Sequence, residues 1–166
     1  MKKITKLKNN LLLKGILFTL CLFQIFLLPL SVNAEIAETE INGEMINAST
    51  EFLRDLDYET WQLVTYNSKF NEGKLVLRIV GYPGNLRIDH PLNLNVESGR
   101  KKWSLDDKTL SNEQLANDER QAAAEFDLDK LMNDISQNRP LRLSLPGVFS
   151  ELPVPPFLVK EWRSID

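Results

Sequence analysis

Apolar and polar residues alternate in several segments after Thr60, which is the pattern of β-strands that bury one face. We predict strands over Thr60 to Tyr66, Lys74 to Gly81, residues 86–97, Arg100 to Leu105, Leu141 to Leu145 and Phe157 to about Ile165. The second of these is apolar on both faces and is expected at the centre of a sheet. The last follows Pro155 and Pro156, since adjacent prolines favour an edge or the start of a strand.

Helical spacing is clear in one segment, where Leu128, Leu131, Met132 and Ile135 recur at i, i+3, i+4 and i+7. Asp127 is a suitable N-cap for this helix, and Pro140 prevents its continuation. A capping box from Ser111 to Gln114 marks a second helix start. Residues 116–125 fit either a helix or an extended segment.

These elements predict a mainly β protein, at the margin of α+β: an antiparallel sandwich or partly open barrel of about six or seven strands with one packed helix. We expect one globular domain over residues 51–166. Glu35 to Thr50 is acidic and without a period, so residues 35–50 are expected to form a flexible lead-in.

The N-terminus has the organisation of an export signal. Met1 to Asn10 is basic, Gly15 to Leu30 is apolar, and Val32-Asn33-Ala34 resembles a signal-peptidase site. We therefore predict a signal peptide over residues 1–34, cleaved near Ala34. The alternative is an uncleaved anchor, since the apolar stretch lies between a typical signal and a spanning helix in length. Either reading places the domain outside the cytoplasm.

Charge separates this segment from the rest of the chain, whose overall net charge is −3. The first 34 residues contain five lysines and no acid, so the remaining 132 carry 15 basic and 23 acidic side chains, a net charge near −8. Such an acidic body repels phosphate backbones, which argues against nucleic acid as a partner. The only cysteine, Cys21, belongs to the signal, so the body can form neither a disulfide nor a thiolate metal site.

Catalytic motifs are absent from the sequence. His90 is the only histidine, which excludes a zinc site with two imidazoles, and we interpret Asp89-His90-Pro91 as a bend. No serine lies in a nucleophile elbow, and the glycines form no phosphate loop. We predict no catalytic, cofactor-binding or metal-binding residues. An enzyme that uses carboxylates alone is the one catalytic class left open.

Two features suit a binding surface. Arg100 to Trp103 is the only basic cluster of the body, with Trp103 beside it. It could meet an anionic headgroup or an acidic partner; the alternative is a solvated hairpin with Trp103 packed inward. Arg78 lies within the most apolar strand, where an arginine usually pairs with a carboxylate or reaches solvent along its stem.

Four segments resemble an uncharacterised cyanobacterial and plastid family of exported proteins, classed as a domain of unknown function. They are Trp61 to Val64, Leu75 to Gly84, Phe126 to Leu128 and Val154 to Trp162, in the family's order. The resemblance implies a place, the thylakoid lumen or the periplasm, and brings no catalytic residue. It also implies that Trp61 and Trp162 are core or interface aromatics. Arg78 and Glu161 are the charged positions of these motifs, and we expect them to pair with each other.

For function, these observations favour an exported, non-catalytic accessory or assembly protein of a membrane complex, for example a photosynthetic one. Its partner would be a subunit of that complex or the membrane surface. One alternative is a barrel that binds a small ligand, lipid or pigment in its interior. A further alternative is a carboxylate-based hydrolase, which needs two acids with raised pKa in a shared cleft.

Overall fold

The computed structural model describes residues 36–41, 43–82, 88–117 and 122–165. The predicted signal peptide lies outside these ranges. Leu86, expected to open a strand, also lies outside them.

Nine strands within the described ranges form two antiparallel sheets. In chain order they are β1 (Ile36–Ile41), β2 (Glu44–Arg54), β3 (Thr60–Ser68), β4 (Lys74–Val80), β5 (Leu94–Ser98), β6 (Lys101–Leu105), β7 (Ala123–Asp127), β8 (Leu141–Leu145) and β9 (Phe149–Val154). The first sheet has the order β1-β2-β3-β4-β7, and the second has the order β6-β5-β8-β9. The mainly β, antiparallel sandwich expected from the sequence is confirmed, with more strands than the six or seven predicted.

The main core lies on the inner face of the five-stranded sheet, the face turned toward the second sheet. Register places Leu63 opposite Ile79, and Ile79 opposite Ala124, so that one row of side chains crosses three strands. All three are buried, as are the apolar residues of β5 and β8. The outer face of the same sheet carries a second, smaller apolar cluster around Val64, Tyr66 and Val76.

Three short helices accompany the sheets in the described ranges: α1 (Glu113–Ala116), α2 (Asp129–Asp134) and α3 (Pro156–Trp162). Single turns of 3₁₀ helix occur at Lys69–Asn71 and Thr109–Ser111. Helices α1 and α2 each start one residue later than predicted, with Asn112 rather than Ser111 and Leu128 rather than Asp127 at the N-cap. The Asn112 side chain accepts hydrogen bonds from the amides of Gln114 and Leu115, and Asp127 accepts one from the amide of Asp129. No helix in the described part of the chain is long and apolar enough to cross a membrane.

The expected flexible lead-in is wrong for the part that the structure describes. Residues 36–41 and 44–50 form β1 and the first part of β2, with continuous antiparallel pairing to each other and to β3. Ala48 and Ser49 are fully buried by this pairing. The acidic residues that suggested disorder, such as Glu38 and Glu40, lie on β1, where exposed charges at a sheet edge oppose unwanted pairing.

The expected C-terminal strand is also wrong, because the segment forms helix α3. Pro156 occupies the first turn of the helix, where its missing amide hydrogen costs nothing. Leu158, Val159 and Trp162 are buried at helical spacing, whereas Phe157 is exposed. Residues 116–125 were expected to be either helical or extended, and the structure decides this in part, because strand β7 begins at Ala123.

Candidate functional site

The five residues singled out by the sequence lie at separate places. Trp61 and Trp162 belong to the main core, with exposed fractions of 3% and 1%. Trp103 is half-buried on β6, and its indole nitrogen donates to Asp134 Oδ2 at 3.0 Å. Arg78 lies on the outer face of the first sheet, and Glu161 lies on α3.

The expected pair of Arg78 and Glu161 is not formed. Arg78 Nε and Nη2 instead donate to Glu125 Oε1 at 2.9 and 2.8 Å, from β4 to the directly opposite position on β7. The sheet separates the two motif charges. Arg78 shares the outer face with Val64, whereas Glu161 contacts the inner face at Ser49.

Two polar side chains complete the cluster around Glu125. The Tyr66 hydroxyl donates to Glu125 Oε1 and accepts from Arg78 Nη2 at 2.7 Å, while the Arg78 guanidinium lies 5.3 Å from the centre of the Tyr66 ring. Asn112 Nδ2 lies 3.2 Å from both Glu125 oxygens. We call Tyr66, Arg78, Asn112 and Glu125 the polar cluster.

The polar cluster is suited to fixing structure. Burial and the negative charge of Glu125 hold the pKa of Tyr66 well above its ordinary value, against the opposing effect of Arg78. Tyr66 is therefore a permanent hydrogen-bond donor at neutral pH. The opposite charges of Arg78 and Glu125 compensate each other, so the cluster presents little net charge to an anionic ligand.

A chain of hydrogen bonds continues from this cluster to His90. The amide of Glu125 donates to Thr109 Oγ1 at 2.9 Å, and Thr109 donates its amide and hydroxyl to Asp107 Oδ1. The other Asp107 oxygen lies 2.7 Å from His90 Nδ1 and 2.8 Å from the amide of Leu92. Burial alone would raise the pKa of Asp107, but these hydrogen bonds outweigh it and lower the pKa below its ordinary value.

The bend interpreted at His90 is thus tied to the connection between β6 and β7. Sequence reasoning missed Asp107 as its partner because the two lie 17 residues apart with no shared motif. Among the described residues, no three histidine, cysteine, aspartate or glutamate side chains group as a metal site.

Exposed apolar side chains gather at one end of the first sheet. Register places Phe52 beside Gln62 and Gln62 beside Val80 on the outer face, close to the turn that joins β2 to β3. Leu56 and Tyr58 lie in that turn, and Tyr82 follows β4 at the same end. We call the following four residues the apolar end, with exposed fractions in parentheses: Phe52 (62%), Leu56 (59%), Tyr58 (81%) and Tyr82 (73%).

Asp55 fixes the turn that presents part of the apolar end. Its Oδ1 accepts from the amides of Asp57 and Glu59, both at 2.9 Å, and its Oδ2 accepts from the indole nitrogen of Trp61 at 2.8 Å. The amide of Leu56 donates to the carbonyl oxygen of Glu151 on β9. The turn is therefore held to the core and to the second sheet.

The outer face of the second sheet carries a groove of about 380 Å³. Pro140, Pro153 and Pro155 line it, together with Glu97 and Arg142, which stand opposite each other on β5 and β8. Arg142 also lies 3.5 Å from Glu151. The groove thus combines apolar rings with charges of both signs and favours no single class of ligand.

Fold and side chains together define a two-sheet antiparallel protein with a buried, charge-compensated polar cluster and an exposed apolar end. The chain belongs to the family described as "Protein of unknown function (DUF3122)", whose model matches residues 34–165. The resemblance to a family without an assigned function is thereby confirmed, while its cyanobacterial or plastid distribution stays a prediction. No curated protein and no solved structure matches the chain.

Proposed function

We propose that this chain is an exported, non-catalytic accessory or assembly protein of a membrane complex in the thylakoid lumen or the periplasm. It acts by docking through its apolar end onto a subunit of that complex. Export is supported by the basic and apolar segments of residues 1–34 and by the signal-peptidase pattern that ends at Ala34.

The observation that carries the proposal is the apolar end itself. Large apolar side chains that are exposed together, rather than singly, mark interaction surfaces. Tyrosine and phenylalanine are enriched at such surfaces, because they bury much area while losing little conformational freedom. Tyr58 and Tyr82 also keep a hydroxyl for polar contacts with the partner.

The fixed geometry of the turn strengthens the proposal. Asp55 accepts two hydrogen bonds from amides of the turn and a third from the indole of Trp61 on β3, so that the backbone that carries Leu56 and Tyr58 is fixed. A surface ordered in advance loses less entropy when it binds, which raises affinity for a given contact area.

Charge favours a protein partner over an anionic membrane. The body carries 15 basic and 23 acidic side chains, and Asp57 and Glu59 lie in the turn beside Tyr58. Anionic lipid headgroups would be repelled, whereas a subunit that presents basic residues around an apolar patch would be attracted.

The alternative of a ligand carrier finds less support. Between the sheets, buried apolar side chains such as Leu77, Phe126, Leu143 and Trp162 occupy the interior that a ligand would need. Among the polar residues, the compensated pair of Arg78 and Glu125 provides no free acid and base for hydrolysis.

The test is native gel electrophoresis of gently solubilised membranes and of the soluble extracytoplasmic fraction, probed with an antibody against the mature domain. We expect part of the protein to migrate with a membrane complex and to persist there at moderate salt. A protein found only as a free monomer in the soluble fraction would contradict the proposal.

A further inference from the structure

Three buried oxygen atoms lack a hydrogen-bond partner where α3 packs on the inner face of the first sheet. They are Ser49 Oγ on β2, Thr65 Oγ1 on β3 and Glu161 Oε1 on α3. Ser49 and Thr65 stand directly opposite each other, so their side chains share the inner face. The residues are exposed by only 1%, 0% and 8%.

Ser49 is the neighbour of each of the other two groups. The Ser49 hydroxyl lies close enough to Glu161 to influence its ionisation, without forming a hydrogen bond of ordinary geometry. Thr65 is the cross-strand neighbour of Ser49, and the next residues in this row, Leu77 and Phe126, are apolar and fully buried. The oxygens are therefore polar groups at the border of an apolar core.

Buried polar atoms in native proteins are nearly always satisfied, and an internal water that makes about three hydrogen bonds is the usual partner where protein groups do not suffice. A carboxyl oxygen and two hydroxyls provide the acceptors and donors that such a water needs.

We propose that Glu161, Ser49 and Thr65 form an internal site that binds one proton, on the Glu161 carboxyl group, and one water molecule between α3 and the first sheet. Glu161 is neutral when the site is filled, and the water links its carboxyl group to the two hydroxyls.

The charges around Glu161 favour the neutral acid. Within the described residues Glu161 takes part in no salt bridge, and the charged group that acts on it from β2 is another carboxylate, Glu51. Lys160, its neighbour on α3, is exposed. Burial and Glu51 together raise the pKa of Glu161 above its ordinary value of 4.5, although the Ser49 hydroxyl partly offsets them.

Proton binding then couples to the packing of α3. A carboxyl group with a raised pKa in the folded state binds its proton more tightly there than in the unfolded state. Its contribution to stability is therefore present at acid pH and is lost as the pH rises from the unfolded pKa through the folded one. Above that range, α3 carries a buried charge without a counterion.

The experiment compares thermal unfolding midpoints of the protein, purified as the cell produces it, from about pH 4 to about pH 8, a range that brackets a raised glutamate pKa. Glu161→Gln keeps the shape of the side chain and cannot ionise. We expect the unfolding midpoint of Glu161→Gln to rise relative to that of the wild type as the pH increases. The control Glu38→Gln, at an exposed edge position, should have the same pH dependence as the wild type. Parallel curves for Glu161→Gln and the wild type would overturn the proposal.

A second variant tests the hydroxyl and keeps the proposal falsifiable if Glu161→Gln fails to fold. Ser49→Ala removes a hydroxyl that favours the charged form of Glu161. The decrease of the unfolding midpoint with rising pH should therefore occur at higher pH in this variant than in the wild type. Ser68→Ala is the control, because Ser68 is a buried serine of the outer face whose oxygen also lacks a partner. Equal behaviour of the two alanine variants would contradict the site.

A metal cation is the competing occupant, and salt composition separates it from a proton. Sodium, potassium or calcium chloride at constant ionic strength, adjusted with choline chloride, should leave the midpoint unchanged at the alkaline end of the range. A rise with one of these cations in the wild type, and none in Glu161→Gln, would overturn the proposal in favour of a cation site.

Discussion

Arg78 and Glu125 face each other on β4 and β7, and two guanidinium nitrogens of Arg78 bond a single oxygen of Glu125. The pair joins strands that are far apart in the chain, and Tyr66 and Asn112 satisfy the remaining capacity of the carboxylate. Because both side chains are largely buried, with 14% and 2% exposed, the pair fixes the position of β7 and is costly to break on one side only.

Glu125→Gln should therefore destabilise the protein by about 3–5 kcal/mol, the range for removing one partner of a buried ion pair. The measurement is urea unfolding at neutral pH. Glu97→Gln provides the matched control, since Glu97 pairs with Lys102 at the surface and its loss should cost only about 0–1 kcal/mol. Similar losses for both variants would show that the buried pair has no special role.

Asp107→Asn should reduce stability at neutral pH by about 1–3 kcal/mol, because the new side-chain amide cannot accept all the hydrogen bonds that Thr109, Leu92 and His90 direct at the carboxylate. A lowered pKa contributes stability that is present above the ordinary value of 3.8 and is lost as the pH falls through the folded pKa. The difference between wild type and variant should therefore shrink in acid. A difference that stays constant down to acid unfolding would contradict this role.

Asp55→Ala should loosen the turn between β2 and β3 while leaving the strands paired. The amides of Asp57 and Glu59 lose their acceptor, so we expect their hydrogen exchange to accelerate strongly, while amides in the middle of β3 stay protected. Uniform acceleration along β3 would show that Asp55 supports the whole sheet and not the turn alone.

Trp162→Ala should cost about 3–5 kcal/mol, as expected for a large aromatic residue removed from a packed core. Phe157→Ala, earlier on α3 and on its exposed side, should cost far less. The comparison tests the helix directly. In the strand that the sequence suggested, Phe157 and Val159 would share a face, so a large loss for Phe157→Ala would contradict the helical packing.

Sequence periodicity was sufficient to predict a strand where one face of the strand is buried and the other is exposed to solvent. Leu141 to Leu145 shows this alternation and forms the expected strand β8, whereas of the strand expected over residues 86–97 the described part forms only β5 from Leu94, and residues 88–93 are not in a strand. Helix α3 was missed because Phe157, Val159 and Trp162 are residue types that favour strands, and because two prolines precede them. The helical spacing of Leu158, Val159, Trp162 and Ile165 was also present, and tertiary packing selected it.

Long-range partners could not be read from local patterns. Arg78 was correctly expected to need a carboxylate, but Glu125 lies 47 residues away in a stretch whose conformation the sequence left open. The expected pairing of Arg78 with Glu161 was wrong because the two side chains lie on opposite sides of the first sheet, Arg78 on the outer face and Glu161 near Ser49 on the inner face. Only the register of β2, β3 and β4 shows that Arg78 points away from Ser49 and α3.

Docking of the apolar end onto a subunit of a membrane complex can be tested with a pair of variants. Cells that produce the double variant Phe52→Ser/Tyr58→Ser are compared with cells that produce Met45→Ser, by native gel electrophoresis of gently solubilised membranes. Met45 is a matched control, because it is 61% exposed on the same strand as Phe52 but lies at the other end of that strand and on the opposite face.

We expect wild type and Met45→Ser to migrate with the complex, and the double variant to appear as free, folded monomer in the soluble extracytoplasmic fraction. Circular dichroism and the unfolding midpoint should be unchanged in the variant, since both altered side chains are exposed. Undiminished migration of the folded double variant with the complex would contradict docking through the apolar end.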